Sequence, residues 1–325
     1  MMTNQLTIRQ IDVVMADQIS GKLAEYASAA QGAFSSATER AVKSDTRIFS
    51  KWCQSRQVAS LPADPRTVVE FIDDQSQTKK PATVRRYCAS IAHMHRAAGV
   101  ADPTKSEIVR LALKRMNRAN GTRQRQATGI TDRIVAQIEA TQPKTLAGLR
   151  NVALVHTMRA MLARRSEIAA LEFEAITFGS DGDATVLIAK SKTDQAGEGR
   201  VLYLPPETVL ALQGWLSAAG ITSGHVFRGI RKGCRVRSSG MDAGEVSRLL
   251  KDMCKAAGID ADSLANVSGH SCRVGMAQDL VADGADLAGI MQAGRWKTAA
   301  MPARYAEHGL AAKGAVAQYY KRRRA

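Results

Sequence analysis

Residues 268–305 read SGHSCRVGMAQDLVADGADLAGIMQAGRWKTAAMPARY. The run Gly269-His270-Ser271-Cys272-Arg273 opens a helical pattern over 270–283. It puts His270 and Arg273 three positions apart on one side of the helix, beside the N-terminal backbone amides that attract phosphate. A further helical pattern covers 286–293, and Trp296 then stands nine residues ahead of Tyr305. Taken singly, these residues have ordinary structural readings. H-x-x-R recurs by chance, and tryptophan and tyrosine most often serve as core or half-buried packing groups. Their order acquires meaning from what precedes them.

Upstream, helical patterns at 131–140 and 146–162 run into ARRSEIAALEF (163–173), which places Arg164 and Glu167 three apart on one face late in a helix. Alone, that spacing predicts a surface ion pair. The period then shortens. Residues 175–178, 184–189 and 200–204 read as short strands, divided by Gly179-Ser180-Asp181-Gly182 and by SKTDQAGEG (191–199). A small antiparallel three-stranded sheet is therefore inserted among helices, with Lys192 in the turn between its last two strands. Helical patterns at 206–219, 243–257 and 309–320 complete a mostly α domain over 130–325. Six histidines are scattered and no carboxylates cluster at metal-site spacing, so any phosphate chemistry is expected to run without a metal. Such chemistry requires a nucleophile, cations on the non-bridging oxygens and an acid for the leaving oxygen. This domain contains all three residue types.

The first half of the chain reads differently. In ATERAVKSDTRIFSKWCQ (37–54), Val42, Ile48, Phe49 and Trp52 form a helical stripe, with Arg40, Lys43 and Arg47 on another face. Helical patterns follow at 65–76, 81–98 and 104–119, separated by Leu61-Pro62, Lys80-Pro81 and Asp102-Pro103. An all-α domain over 33–120 is expected, preceded by a partly ordered arm over 1–32. The basic, apolar-poor stretch 121–129 is expected to be an exposed linker to the second domain.

The 325 residues carry a formal charge of +16, which favours a polyanionic partner, nucleic acid foremost. The charge is concentrated: residues 79–125 hold twelve Lys and Arg against two acids, and 321–324 read KRRR. Five cysteines, at 53, 88, 234, 254 and 272, form no C-x-x-C pair and suit reduced thiols. No apolar run is long enough to span a bilayer and the first residues lack a secretory-signal pattern, so the cytoplasm is the expected compartment.

The ordered set Arg-x-x-Glu, a lysine on a β-turn, His-x-x-Arg, Trp and Tyr resembles the catalytic domain of the tyrosine site-specific recombinases. The resemblance covers about 290 residues, because 36–53 and 81–99 are similar to DNA-contacting helices of that family and KGAVAQYY (313–320) to its final helix. It implies a tyrosine recombinase fold with an N-terminal α-helical core-binding domain, and a catalytic set of Arg164, Glu167, Lys192, His270, Arg273, Trp296 and Tyr305. Arg164 and Arg273 would clamp the phosphate, Tyr305 attack it and Lys192 protonate the leaving 5′-oxygen. His270 would assist proton transfer, Trp296 donate its indole N–H, and Glu167 hold Arg164. DNA contacts carried over are Arg40, Lys43, Arg47, Thr83, Arg85, Arg86 and Arg248.

The implied partner is double-stranded DNA bearing an inverted-repeat site, cut without cofactor or metal. The implied assembly is a tetramer linked by the exchange helix at 309–320, in a nucleoid-associated protein of the kind mobile elements encode. At Arg295 the pattern departs from the family, which has a small residue there. A type IB topoisomerase or telomere resolvase carries a similar set, and a DNA-binding protein could keep the fold without the chemistry. The complete set, Tyr305 included, favours the recombinase.

Overall fold

The computed structural model describes residues 8–189 and 198–323, with side chains from residue 16 onward. The chain divides into two compact units, Met1–Gln124 and Arg125–Ala325. The first comprises α1 (Ile8–Ala29), α2 (Ser36–Ser55), α3 (Pro65–Ser76), α4 (Pro81–Ala97) and α5 (Glu107–Asn120). Start signals are local and chemical. Ser35 accepts from the Thr38 N–H at 3.2 Å, and Asp64 accepts from Arg66 N–H ahead of a helix whose first residue is Pro65. Phe71 meets Phe49 and Trp52 edge-on at 5.0 and 5.2 Å, and Tyr87 closes the cluster. Burying each such ring contributes roughly 1.5–3 kcal/mol.

Within the expected N-terminal arm, Ile8–Ala29 is helical. Its sequence is free of proline and rich in good helix formers. From residue 16 onward the helix is mostly exposed, with Ile19, Leu23 and Tyr26 half-buried along one side, too narrow a stripe for a strong periodic signal. Tyr26 and Phe34 pin its C-terminal end by edge contacts with His93.

The second unit begins with α6 (Asp132–Thr141), α7 (Leu146–Ala160) and the single turn α8 (Arg165–Ala169). The sheet follows as β1 (Ile176–Phe178), β2 (Ala184–Ile188) and β3 (Arg200–Leu204), antiparallel in the order β1-β2-β3, with Thr185 opposite both Thr177 and Tyr203. Ala184, Val186, Ile188 and Leu204 face the core. After α9 (Pro206–Ala219) comes a hairpin the sequence reading did not anticipate, β4 (Arg228–Arg231) with β5 (Arg235–Gly240).

The chain continues through α10 (Ala243–Ala256), α11 (Ala261–Ala265), α12 (Ser271–Asp283), α13 (Leu287–Gly294) and α14 (Ala300–Tyr305). The expected single helix at 309–320 is two, α15 (Glu307–Lys313) and α16 (Ala315–Arg322), parted at Gly314. Trp215 is fully buried at the centre and donates its indole N–H to the Val226 carbonyl at 2.9 Å. Cys53, Cys88, Cys254 and Cys272 are buried free thiols, pushed up to about 11, 12, 11 and 12 by desolvation, while Cys234 is exposed at the hairpin tip.

Candidate active site

The segment between α7 and α8 carries the first site residue. The helix stops at Ala160, Leu162 turns left-handed at φ 43°, and Arg164 becomes the residue that caps α8. Arg164 thus stands outside a helix, not late within one as its spacing suggested. Glu167 bridges back in the manner of a capping box: Oε2 accepts the Arg164 backbone N–H at 2.9 Å, and Oε1 accepts the Arg164 guanidinium at 2.5 Å. Burial alone would raise the Glu167 carboxyl. The Arg164 N–H and the guanidinium groups of Arg295 and Arg164 outweigh it and hold the carboxyl below its ordinary range.

The second contribution comes from α12. His270 occupies its N-cap position and is exposed, and Arg273 lies one turn in with 2% exposure. Gly275 lets this helix approach the chain at Ile130, since a Cβ there would lie 2.0 Å from the Ile130 carbonyl oxygen. The Arg273 guanidinium donates to the Leu162 carbonyl at 2.5 Å and to that of Gly294, and stacks 4.1 Å from the centre of the Trp296 ring. Desolvation first, then the charges of Arg164 and Arg295, draw its pKa down to about 10, so it stays cationic at neutral pH.

Trp296 in turn meets Tyr305 edge-on at 5.9 Å. Gly294 makes room for that ring, because a Cβ there would fall 1.8 Å from it. Tyr305 ends the short α14. Its backbone is held by Gln278, which donates to the Tyr305 carbonyl at 3.3 Å, and by Gln126, which donates to that of Arg304.

The structure therefore gathers Arg164, Glu167, Arg273, Trp296 and Tyr305, with His270 one turn from Arg273. It adds Arg295, marked in the sequence only as a departure. Three guanidinium groups surround one carboxylate among the described residues, an excess of positive charge suited to an anion. Lys192 lies outside the described residues. Arg248 is exposed on α10.

In the first unit, Arg40, Lys43 and Arg47 are exposed on α2, spaced to share a face. Thr83 is half-buried on α4. Arg85, also half-buried there, donates to Asn117 at 2.8 Å. Arg86 is exposed but forms an ion pair at 2.8 Å with Asp45, a carboxylate with 1% exposure that also accepts from Ser90 at 3.0 Å. Arg86 thus has a structural duty. The basic β4–β5 hairpin, with Arg228, Arg231, Lys232, Arg235 and Arg237, escaped notice. Its signal was an Ile230–Val236 apolar pair flanking Lys232-Gly233.

A mostly helical unit with a small antiparallel sheet, gathering two arginines, a tryptophan and a tyrosine, defines the class of the tyrosine recombinases. The chain belongs to the phage integrase family, whose model matches residues 130–310. It is 34% identical over 282 residues to an "Integrase/recombinase xerD homolog" of Selenomonas ruminantium, covering 84% of this chain and 82% of that one. It is 26% identical over 323 residues to "Recombinase cre" of Escherichia phage P1, covering 91% and 92%. The likeness to Cre is therefore moderate.

Among solved structures, the fold is similar to the Tn1549 transposon integrase in complex with a circular intermediate DNA (TM-score 0.62, 11% identity, 87% of this chain and 94% of that one). It is also similar to a lambda integrase dimer bound to a core site (TM-score 0.60, 13% identity, 93% and 82%). The chain is accordingly an enzyme of DNA strand breakage and rejoining, of the site-specific recombinase kind.

Proposed function

We propose that this enzyme recombines paired inverted-repeat DNA sites through a covalent 3′-phosphotyrosyl intermediate on Tyr305 and a Holliday junction, within a tetramer. The observation that carries this reading is the contiguity of Arg164, Arg273, Trp296 and Tyr305 around a surplus of positive charge. The Tyr305 phenolic oxygen attacks the phosphorus and the bond to the 5′-oxygen breaks. The phenolic proton passes to His270, and Lys192 supplies a proton to the departing oxygen. Arg164 and Arg273 stabilise charge on the non-bridging oxygens, aided by the Trp296 indole N–H. The free 5′-hydroxyl of a partner strand then reverses the step, so the phosphotyrosyl link conserves the bond energy and no nucleotide is consumed.

In this reading Arg40, Lys43, Arg47, Thr83, Arg85, Arg86 and Arg248 contact the duplex, most of them at phosphates. The exposed Arg248 reads a base edge. The similarity to integrase structures solved in complex with DNA, and the charge of +16, support that placement. The enzyme acts on nucleoid DNA in the cytoplasm.

The test is a suicide substrate that traps the covalent step. The wild type is expected to give a slower-migrating DNA–protein adduct. Tyr305→Phe is expected to bind the same DNA and give none. An adduct that persists in the Phe variant, or maps to Tyr319 or Tyr320, overturns the assignment.

A further inference from the structure

Arg295 has an unusual place for an arginine. It closes α13 in the left-handed conformation, φ 57° and ψ 44°, where glycine is the ordinary residue because any Cβ is strained there. Its side chain is only 7% exposed. One Nη donates to Glu167 Oε2 at 2.9 Å and to the Met161 carbonyl at 3.3 Å. Nε and the other Nη are buried without a hydrogen-bond partner among the described residues. A strained backbone and unmet buried donors both count against stability, and such positions persist where the surroundings use the side chain.

Its use follows from the geometry of Glu167. One carboxylate oxygen holds the Arg164 guanidinium, while the other accepts the Arg164 backbone N–H and is held by Arg295. With Arg295 removed, that second oxygen loses its cation, and the carboxylate is free to turn and take Arg164 in a bidentate fork. The fork would occupy N–H groups that a phosphate needs. Arg295 and Arg273 also reach consecutive carbonyls, those of Met161 and Leu162, and so tie the Gly294–Trp296 segment to the turn ahead of Arg164.

We infer that Arg295 is a positioning residue for strand cleavage: by holding one oxygen of Glu167, it fixes how Arg164 is presented to the scissile phosphate. The inference rests on the phosphotyrosyl reading above. Single-turnover adduct formation on the suicide substrate, at saturating protein and across pH, tests it with Arg295→Gly and Arg295→Lys. Arg295→Gly removes the strain and the cation together. It should bind a half-site like the wild type, cleave about tenfold or more slowly, and show its acid limb at higher pH, because Glu167 has lost a cation.

Arg295→Lys keeps the charge but not the fork that reaches both Glu167 and Met161. It should recover part of the rate and return the acid limb toward the wild-type position. If the glycine variant fails to fold, the lysine variant decides, with slower cleavage at unchanged half-site binding expected. Wild-type rates and an unmoved acid limb in whichever variant folds overturn the inference while leaving the recombinase reading intact. A wild type that forms no adduct overturns that reading, and this one with it.

Discussion

Glu167 shows how much of the site depends on one buried carboxylate. It has three partners in two arginines, and its pKa lies below the 4.5 of an ordinary glutamate. A carboxyl whose folded pKa is depressed contributes stability that is fully present above the unfolded pKa, near 4.5. That stability is lost as pH falls through the lower folded value. Glu167→Gln should therefore cost roughly 3–5 kcal/mol at pH 7, because it leaves two buried or half-buried guanidinium groups without a counter-charge. In urea unfolding, the gap between variant and wild type should close only below the ordinary carboxylate range. A gap constant from pH 7 to pH 3 would show that the carboxylate charge is not what holds the pair. The partnership of Arg164 and Glu167 was legible from their spacing, but its form was not. Leu162 turns left-handed with no glycine or proline to announce it, so the helix looked continuous through Arg164. Arg295 was legible only as an oddity, since a hydrogen bond spanning 128 residues leaves no periodic trace.

Elements with a strong apolar period or a chemical start signal were readable within a residue or two. Examples are Ser36–Ser55 with its Ser35 cap, Pro65–Ser76 behind Asp64, and all three strands of the sheet. The β4–β5 hairpin was hidden because its exposed positions are arginines and serines, leaving Ile230 and Val236 as a lone apolar pair within its strands. At this scale the decisive element is α12, which carries His270 and Arg273 and whose seat depends on Gly275. A methyl group there would press against the Ile130 carbonyl and shift the helix bodily, since the obstacle is backbone. Gly275→Ala should cost about 1–3 kcal/mol in urea unfolding. It should also slow adduct formation on the suicide substrate, because Arg273 moves with its helix. Glycine-to-alanine replacement inside an ordinary helix should instead stabilise. A Gly275→Ala protein that is more stable than the wild type would show that the close approach does not constrain α12.

Over the whole molecule, the residues beyond Tyr305 bear on assembly. Within its own unit, α15 is tied down: Lys313 donates to the carbonyls of Val281 and Ala282 at the end of α12. Beyond Gly314 the situation reverses, for Val316 is 72% exposed and Tyr319 and Tyr320 are more than half exposed on α16. An amphipathic helix with its apolar side uncovered in the free chain suits docking into a neighbouring copy, the role the recombinase reading gives it. Such head-to-tail contacts close into a ring only when the rotation between subunits permits, so DNA is expected to complete the assembly. The break at Gly314 also sharpens the test. Deleting from residue 309 would strip α15 from α12 and damage the catalytic unit, whereas deleting 315–325 removes α16 alone. The shorter deletion should leave a monomer that binds a half-site with an affinity loss of a few-fold, since Lys321, Arg322, Arg323 and Arg324 go with it. It should abolish cooperative pairing on a full site, and with it recombination between two sites. Gel-shift titrations on half and full sites separate the two effects. A shift confined to half-site affinity, with cooperativity unchanged, would assign α16 to electrostatic DNA contact and leave assembly to another surface.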